Sequence, residues 1–567
     1  MRKKYFLLSV RKFSVYILLC VVQLFCTTQA DAYSLFSGGS TKYSILLPST
    51  ASEDETKAAS ELKTYLDRIS GADFPIVRSA PKGFRIIIGR CAEATSFADL
   101  PRYKSDDESF MYRNYGSDIV ICGGSDRGTR YGVYAFLENE LGCKWLTYKE
   151  KFIPSRKSWE FSSLSRSESP AFKIREVVYW GDYSEPWSIA NRNSGYTKFR
   201  GCHTFGELVP PDEFFATHPE YFSLIDGKRM GKGGQLCLSN PALVDICTKR
   251  LRRIMKERPE FLVYDLSQND NLNHCQCSAC KAIDREEGSP SGAMLRFVNK
   301  VADNLKDEFP NKYIGTFAYT YTRKPPLKTR PRPNVVVRLC SFETCLVHDF
   351  RSCPHNESFY ADLKKWASIA PSLAVWDYYV SFEDYFIPFP NLGVLQSRIK
   401  EFRDNGVISV LAQGNYNSAG GDLCYLRAWL LSKLLWNPDA DVKALTDEFL
   451  NAYYGRSARY IAGYLELMQS SLTPETHMKV GTTYKSPYFS GSLIARGFEL
   501  MARAKAAASG DERLLRRIEA VEMPLEYVKY MKRPFYSPSR ALKKDFLEAA
   551  KAEGVSRISE LRYLDSF

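Results

Sequence analysis

The chain has 567 residues, of which 44% are hydrophobic, 14% aromatic and 25% charged. Those fractions belong to a folded globular protein and exclude wholesale disorder, collagen and coiled coil; the length exceeds what one hydrophobic core fills, so two or three domains are expected. The formal charge of +13 is spread over mixed-sign stretches such as Lys249-Arg-Leu-Arg-Arg and Arg323-Lys-Pro-Pro-Leu-Lys, which read as solvated faces, so no nucleic-acid partner is expected.

The first residues read as a leader. Arg2, Lys3, Lys4, Arg11 and Lys12 precede the apolar run 16–26, and Ala30-x-Ala32 closes it, the pattern of a secretory signal peptide over residues 1–32. The run falls short of the roughly 20 residues that span a bilayer, and no later segment is long and apolar enough, so no transmembrane segment is expected. Lipidation at Cys26 is disfavoured by Phe25, where a small residue is wanted. The expected protein is exported, to the periplasm, the cell surface or the medium. It begins near Tyr33, and cleavage lowers its formal charge to +9. The sequence leaves its oligomeric state open.

Residues 33–165 read as a small α/β sandwich domain. Tyr43-Ser-Ile-Leu-Leu is a strand, and 52–70 is an amphipathic helix with Ala58, Leu62, Tyr65, Leu66 and Ile69 on one face. Strands Phe84-Arg-Ile-Ile-Ile-Gly and Asp118-Ile-Val-Ile-Cys-Gly follow. The Gly123-Gly-Ser-Asp-Arg-Gly turn then opens a helix; it matches the dinucleotide fingerprint poorly and is better read as a packing turn.

Residues 166–440 alternate strands with helices. Candidate strands are 172–180, 198–204, 234–238, 261–267, 313–319, 334–341, 373–379 and 407–413, with helical patterns at 241–256, 292–308, 357–369 and 392–405. Eight strands with intervening helices predict an α/β fold of the (β/α)8 TIM-barrel type. From 441 to 567 the pattern is helical: 442–454, 458–471, 490–509, 511–531 and 539–552.

A barrel places its chemistry on the loops after the strands, which sorts the polar residues. Asp270 ends one apolar strand and Glu343 another; a carboxylate there is costly unless solvated, paired or used. Glycoside cleavage needs an acid for the leaving oxygen and a second group for the charge developing at the sugar carbon. The structural alternative is that either residue caps a helix or pairs with an arginine such as Arg338. Trp180, Tyr319, Trp376 and Tyr378 stand at other strand ends, where an aromatic face can stack on a sugar. His203, Asp377 and Gln413 are candidate contacts to its hydroxyls. Gly-x-Ser-x-Gly and His-Glu-x-x-His are absent, which argues against a nucleophile-elbow hydrolase and a zincin.

Thirteen cysteines remain after cleavage. Cys275, Cys277 and Cys280 form a C-x-C-x-x-C knot, and Cys340, Cys345 and Cys353 lie near His348 and His355. A structural zinc site can draw on these; disulfides between the two clusters are the preferred reading for an exported chain, and no metal is assigned to catalysis.

The run Ser267-Gln-Asn-Asp-Asn-Leu-Asn-His-Cys-Gln-Cys-Ser-Ala-Cys resembles a domain of unknown function numbered 4838. So do Ser341-Phe-Glu-Thr-Cys-Leu-Val-His348, Val375-Trp-Asp-Tyr378, Pro388-Phe-Pro-Asn-Leu and Leu426-Arg-Ala-Trp-Leu-Leu-Ser-Lys-Leu-Leu-Trp-Asn-Pro438. That family overlaps glycoside hydrolase family 163, and the resemblance implies endo-β-N-acetylglucosaminidase cleavage of complex N-glycans. Arg127-Gly-Thr-Arg-Tyr-Gly-Val-Tyr-Ala-Phe-Leu-Glu-Asn-Glu-Leu-Gly-Cys resembles the non-catalytic N-terminal domain of α-glucuronidases and β-hexosaminidases. The resemblance implies a substrate-assisted, retaining route in which the sugar's acetamide oxygen attacks the anomeric carbon. Glu343 is then the general acid/base, and Asp270, helped by Asn269, orients the acetamide; the swapped assignment puts Asn269 on the acetamide and Asp270 as acid. The expected partner is an oligosaccharide or a glycoprotein glycan. Ala412-Gln413 departs from the family pattern, which often carries Glu before this Gln. The competing expectations are a non-catalytic glycan-binding protein, a glycosidase of another, α-glucuronidase-like linkage, and an exported metalloprotein.

Overall fold

The computed structural model describes residues 32–97, 100–181, 185–194, 198–533 and 540–567. Residues 1–31 of the expected signal peptide, Cys26 included, and residues 182–184 after Trp180 lie outside them. The chain divides into two units, one of residues up to Leu141 with Ile153–Glu168, the other of Gly142–Phe152 with Ser169–Phe567.

The first unit is a mixed sheet carrying helices. Its strands are β1 (Ser44–Leu46), β2 (Ile76–Val77), β3 (Arg85–Ile88), β4 (Phe110–Tyr115), β5 (Asp118–Gly123) and β6 (Ser165–Glu168), and they lie in the order β6-β4-β5-β3-β1-β2. A capping box of Ser52 and Glu55 starts helix α1 (Glu53–Ser70), Gly71 at φ 71° ends it, and Ala58, Leu62, Leu66 and Ile69 are buried, as the periodicity predicts. Ser125 caps α2 (Asp126–Asn139), almost all of which is buried. The glycine turn before α2 is a packing device: a Cβ on Gly123 would lie 2.1 Å from the Thr129 amide nitrogen.

The second unit holds seven parallel strands: β7 (Ile174–Val178), β8 (Phe199–Arg200), β9 (Val263–Asp265), β10 (Tyr313–Ala318), β11 (Val335–Cys340), β12 (Leu373–Tyr378) and β13 (Ser409–Gln413). Their order is β7-β13-β12-β11-β10-β9-β8, a TIM-like open barrel. The expected strand at 234–238 does not join this sheet. Gln235 donates its amide to Asn273, Cys237 donates to Tyr221, and Gln235 accepts from the Ser223 amide, so its backbone groups are spent on neighbouring loops and β8 pairs directly with β9.

Helices α3 (Ala242–Glu257), α4 (Ser278–Glu287), α5 (Ser291–Leu305), α6 (Glu357–Ile369), α7 (Leu395–Asp404) and α8 (Cys424–Trp436) lie between or after the strands. α4 begins inside the cysteine knot, where the sequence shows no helical period of useful length. The chain then runs through α9 (Val442–Tyr454), α10 (Ala458–Ser470), α11 (Gly491–Ala507), α12 (Glu512–Met531) and α13 (Arg540–Glu553), each within a residue or two of the expected span. Among the described residues no helix is long and apolar enough to cross a membrane.

Candidate active site

Parallel pairing in register sets the carboxyl ends of the strands side by side: Cys340 of β11 is opposite Trp376 of β12, and Tyr378 is opposite Gln413 of β13. A cavity of about 310 Å³ opens there. Its walls include His203, Asp270, Tyr319, Trp376, Tyr378 and Gln413 of the expected site, and Phe317, Phe342 and Phe382 extend the aromatic surface.

Below the cavity the barrel interior is polar. Arg338 of β11 reaches Glu176 of β7 at 3.4 Å, and its guanidinium lies 3.6 Å from the Phe199 ring centre and 5.5 Å from that of Trp376. Burial pushes the Glu176 carboxyl up to about 7, with the Arg338 charge opposing it. Asp265 of β9 is also buried, which raises its pKa, while the Thr204 and Ser267 hydroxyls donate to its Oδ2 at 2.9 and 2.7 Å. Arg338, expected as a partner for a rim carboxylate, is therefore engaged inside the barrel.

On the rim, the Tyr319 hydroxyl donates to Asp270 Oδ1 at 3.1 Å. Burial, followed by the Asp270 charge, raises the Tyr319 phenol well above its ordinary value, so it stays a hydrogen-bond donor. His203 sits in the left-handed region at φ 56°, its amide held by the Ser267 hydroxyl and its Nδ1 2.7 Å from the Gln268 carbonyl. A carbonyl only accepts, so Nδ1 carries the proton. The His203 ring packs edge-on against Phe317 and Tyr319. Trp376 donates its indole N–H to Gln413 Oε1 at 2.6 Å and stacks with Tyr378 at 6.4 Å between ring centres.

Four expected residues stand outside the cavity lining. Asn269 is consumed by the backbone: Oδ1 accepts from the Gly206 amide and Nδ2 donates to the Gly234 carbonyl, both at 2.9 Å. Glu343 turns from the strand end to Arg323, whose Nη1 lies 2.7 Å from its Oε2 and which also binds Asp362. Asp377 is completely buried, with Arg398 of α7 donating to both its oxygens at 2.5 and 3.2 Å and Ser341 donating as well. It lies between Trp376 and Tyr378 on β12, and strand alternation sends it to the opposite face. Trp180 is 40% exposed.

One lining carboxylate was not expected. Beyond α13 the C-terminal segment crosses the loops that follow β12 and β13. Ile558 accepts from the Tyr385 amide at 2.9 Å, Glu560 donates its amide to Phe382 at 2.8 Å, and Ser418 accepts from the amides of Ser556 and Arg557. The turn after β13 passes over the Tyr179 ring at Gly414, where a Cβ would come within 2.2 Å, and leads to Tyr416. The Tyr416 hydroxyl donates to Glu560 Oε1 at 3.2 Å. Burial raises the Glu560 carboxyl above its usual range; Tyr416 opposes the rise and the Asp270 charge adds to it. The lining thus holds two carboxylates, one exposed at a strand end and one half-buried with raised affinity for a proton, the pairing that general acid chemistry uses. No short motif announces Glu560, because it lies in the helical tail, remote in sequence from every strand.

The clustered cysteines stand outside the cavity lining. All thirteen among the described residues are free, so the disulfides expected between the two clusters are not formed; each cluster instead gathers its own further ligand, Cys237 in one and His477 in the other. Cys340 and Cys202 belong to neither and line the cavity.

No curated protein matches the chain. Among solved structures, the GH115 4-O-methyl-α-glucuronidase BtGH115A, described as specific for decorated arabinogalactans, superposes with a TM-score of 0.61 at 11% identity over 92% of this chain and 77% of that one. A Flavobacterium johnsoniae chitobiase gives 0.46 at 10% identity over 91% and 93% of the two chains. A Streptomyces plicatus β-hexosaminidase solved with the product GlcNAc gives 0.44 at 11% over 77% and 93%. The first likeness establishes a shared fold. Residues 145–466, more than half of the chain, match the model described as a domain of unknown function, DUF4838. The chain belongs to the DUF4838 family.

Proposed function

We propose that the protein is an exported glycoside hydrolase that cleaves a β-N-acetylglucosaminide linkage in N-glycans with the help of the substrate's own acetamide. The observation that carries this reading is the cavity at the carboxyl ends of the strands. It combines Asp270, Glu560 and flat aromatic faces at Trp376 and Tyr378. The family resemblance of the 267–280 and 341–348 runs supplies the choice of linkage.

In the proposed reaction Asp270, positioned by Tyr319, accepts the acetamide N–H and turns the carbonyl oxygen toward the anomeric carbon. That oxygen bonds to the carbon as the glycosidic C–O bond breaks, and Glu560 passes its proton to the departing oxygen. Water then opens the cyclic intermediate, giving a proton back to Glu560 and restoring the acetamide. Glu560 takes the role expected of Glu343, because Arg323 already occupies the Glu343 carboxylate away from the lining. A uronic acid substrate is disfavoured: among the described residues none that lines the cavity is Lys or Arg, and two carboxylates would face the sugar's own.

Mass spectrometry of a complex N-glycoprotein incubated with the mature protein and with Asp270→Asn, Glu560→Gln and Glu343→Gln variants tests the reading. The expected result is release of glycans lacking one core N-acetylglucosamine, abolished by the first two substitutions and retained by the third. Loss only in Glu343→Gln would return the acid role to that residue. No release by the unsubstituted protein, with binding on a glycan array, would make the cavity a lectin-like site.

A further inference from the structure

The four sulfurs of Cys237, Cys275, Cys277 and Cys280 all lie within 4.8 Å of one another. Cys237 Sγ is 3.7 Å from Cys277 Sγ and 3.9 Å from Cys280 Sγ. A disulfide requires about 2.05 Å. A tetrahedral zinc ion with bonds of about 2.3 Å holds its sulfurs about 3.8 Å apart. The surroundings suit thiolates: the Leu224 amide donates to Cys275 Sγ at 3.3 Å, the Cys280 amide to Cys277 Sγ at 3.5 Å, and the Arg229 guanidinium is 4.0 Å from Cys275 Sγ. Three of the four cysteines are buried.

A second set is independent of the first. Cys345, His348, Cys353 and His477 also bring four ligand atoms within 4.8 Å. Cys345 Sγ is 3.6 Å from His348 Nδ1 and Cys353 Sγ is 3.7 Å from His477 Nδ1. Zinc bonds of about 2.3 Å to sulfur and 2.0–2.1 Å to nitrogen give a tetrahedral edge of about 3.6 Å. His355, near this cluster in sequence, packs tilted against the His477 ring and is not one of the four.

We propose that the protein binds two structural zinc ions, one in the Cys237/Cys275/Cys277/Cys280 cage and one in the Cys345/His348/Cys353/His477 cage. Four protein ligands at each site leave no open position for a substrate or an activated water, so both ions serve structure. Thiolate and imidazole donors in tetrahedral array select zinc over magnesium or calcium. The first cage closes the loop that leaves β9 through Asp270. The second closes the loop that leaves β11 through Glu343 and joins it to the segment around Met478, whose carbonyl accepts from the Leu346 amide at 2.7 Å. Each ion therefore fixes a loop that a barrel strand alone would leave to turn chemistry.

The test is elemental analysis of the whole protein purified without chelators. Two zinc ions per chain are expected, falling to one in Cys237→Ser and to one in His477→Ala. Titrating the unsubstituted protein with a mercurial thiol reagent in the presence of a zinc-sensing dye keeps the test open if a variant does not fold: zinc release in proportion to thiols modified supports the cages. Cobalt substitution should give the intense visible bands of tetrahedral thiolate coordination. Metal-free protein with its cluster cysteines oxidised to disulfides, iron in place of zinc, or two zinc ions undiminished in Cys237→Ser would each overturn the proposal. None of these readouts depends on glycan cleavage.

Discussion

Tyr416 donates its hydroxyl hydrogen to Glu560 Oε1 at 3.2 Å, so a carboxylate near the end of the chain is held by the loop that follows the last barrel strand. The bond favours the ionised carboxylate, while burial and the Asp270 charge favour the protonated one and prevail. A general acid must carry its proton, so activity should fall as pH rises through the Glu560 titration. Tyr416→Phe removes the interaction that favours ionisation and should move that descending limb of kcat/KM to higher pH. Glu560→Gln should cost about 10²–10⁴-fold in turnover with unchanged folding. A limb that stays in place in Tyr416→Phe would separate Glu560 from the proton transfer.

Asp270 and Tyr319 make a second prediction. The Tyr319 side chain reaches Asp270 from the end of β10 and packs edge-on against the His203 and Phe317 rings. Asp270→Asn should abolish turnover on an N-acetylated substrate while the melting temperature stays within roughly 2 °C, as for a surface substitution. Tyr319→Phe should lower kcat more than it raises KM, because it loosens the orientation of a group that acts in the transition state. Equal activity of Asp270→Asn would remove the acetamide role.

Much of this arrangement is legible in sequence, and the failures have physical causes. Strand ends predict where Asp270, Tyr319, Trp376 and Gln413 stand, because a parallel barrel lines up its carboxyl termini. Strand end alone does not set direction: Glu343 follows β11 into a turn closed by the Thr344 amide on the Ser341 carbonyl and points to Arg323. Glu560, Cys237 and His477 come from remote parts of the chain, and nothing within a local window couples them to the loops they join. The 234–238 run has the composition of a strand, but its hydrogen bonds go to the loops around Tyr221 and Asn273.

Asp377 should behave as a structural residue. It is fully buried and carries a two-pronged bond from Arg398, whose guanidinium also donates to the Cys345 carbonyl at 3.2 Å and lies over the Phe350 ring. Removing one charge leaves the other buried and unpaired, so Asp377→Asn should destabilise the unit by about 3–5 kcal/mol, read as a lower denaturant midpoint. Retained stability together with a raised KM would instead make it a sugar contact.

Trp376 separates stacking from hydrogen bonding. Its ring is half-buried against Phe317 and Tyr378, with the Arg338 guanidinium behind it, and its N–H is spent on Gln413. The face left to the cavity therefore offers a sugar an apolar surface without a donor. Titration calorimetry with an N-acetylglucosamine oligosaccharide, in the Glu560→Gln background so that nothing is cleaved, should show roughly tenfold weaker binding for Trp376→Ala, equivalent to about 1.4 kcal/mol. Trp376→Phe keeps an aromatic face but leaves Gln413 Oε1 without its donor, so it should recover most of the affinity at some cost in stability. If Trp376→Phe binds as weakly as Trp376→Ala, the indole acts through the position of Gln413 and not through its face.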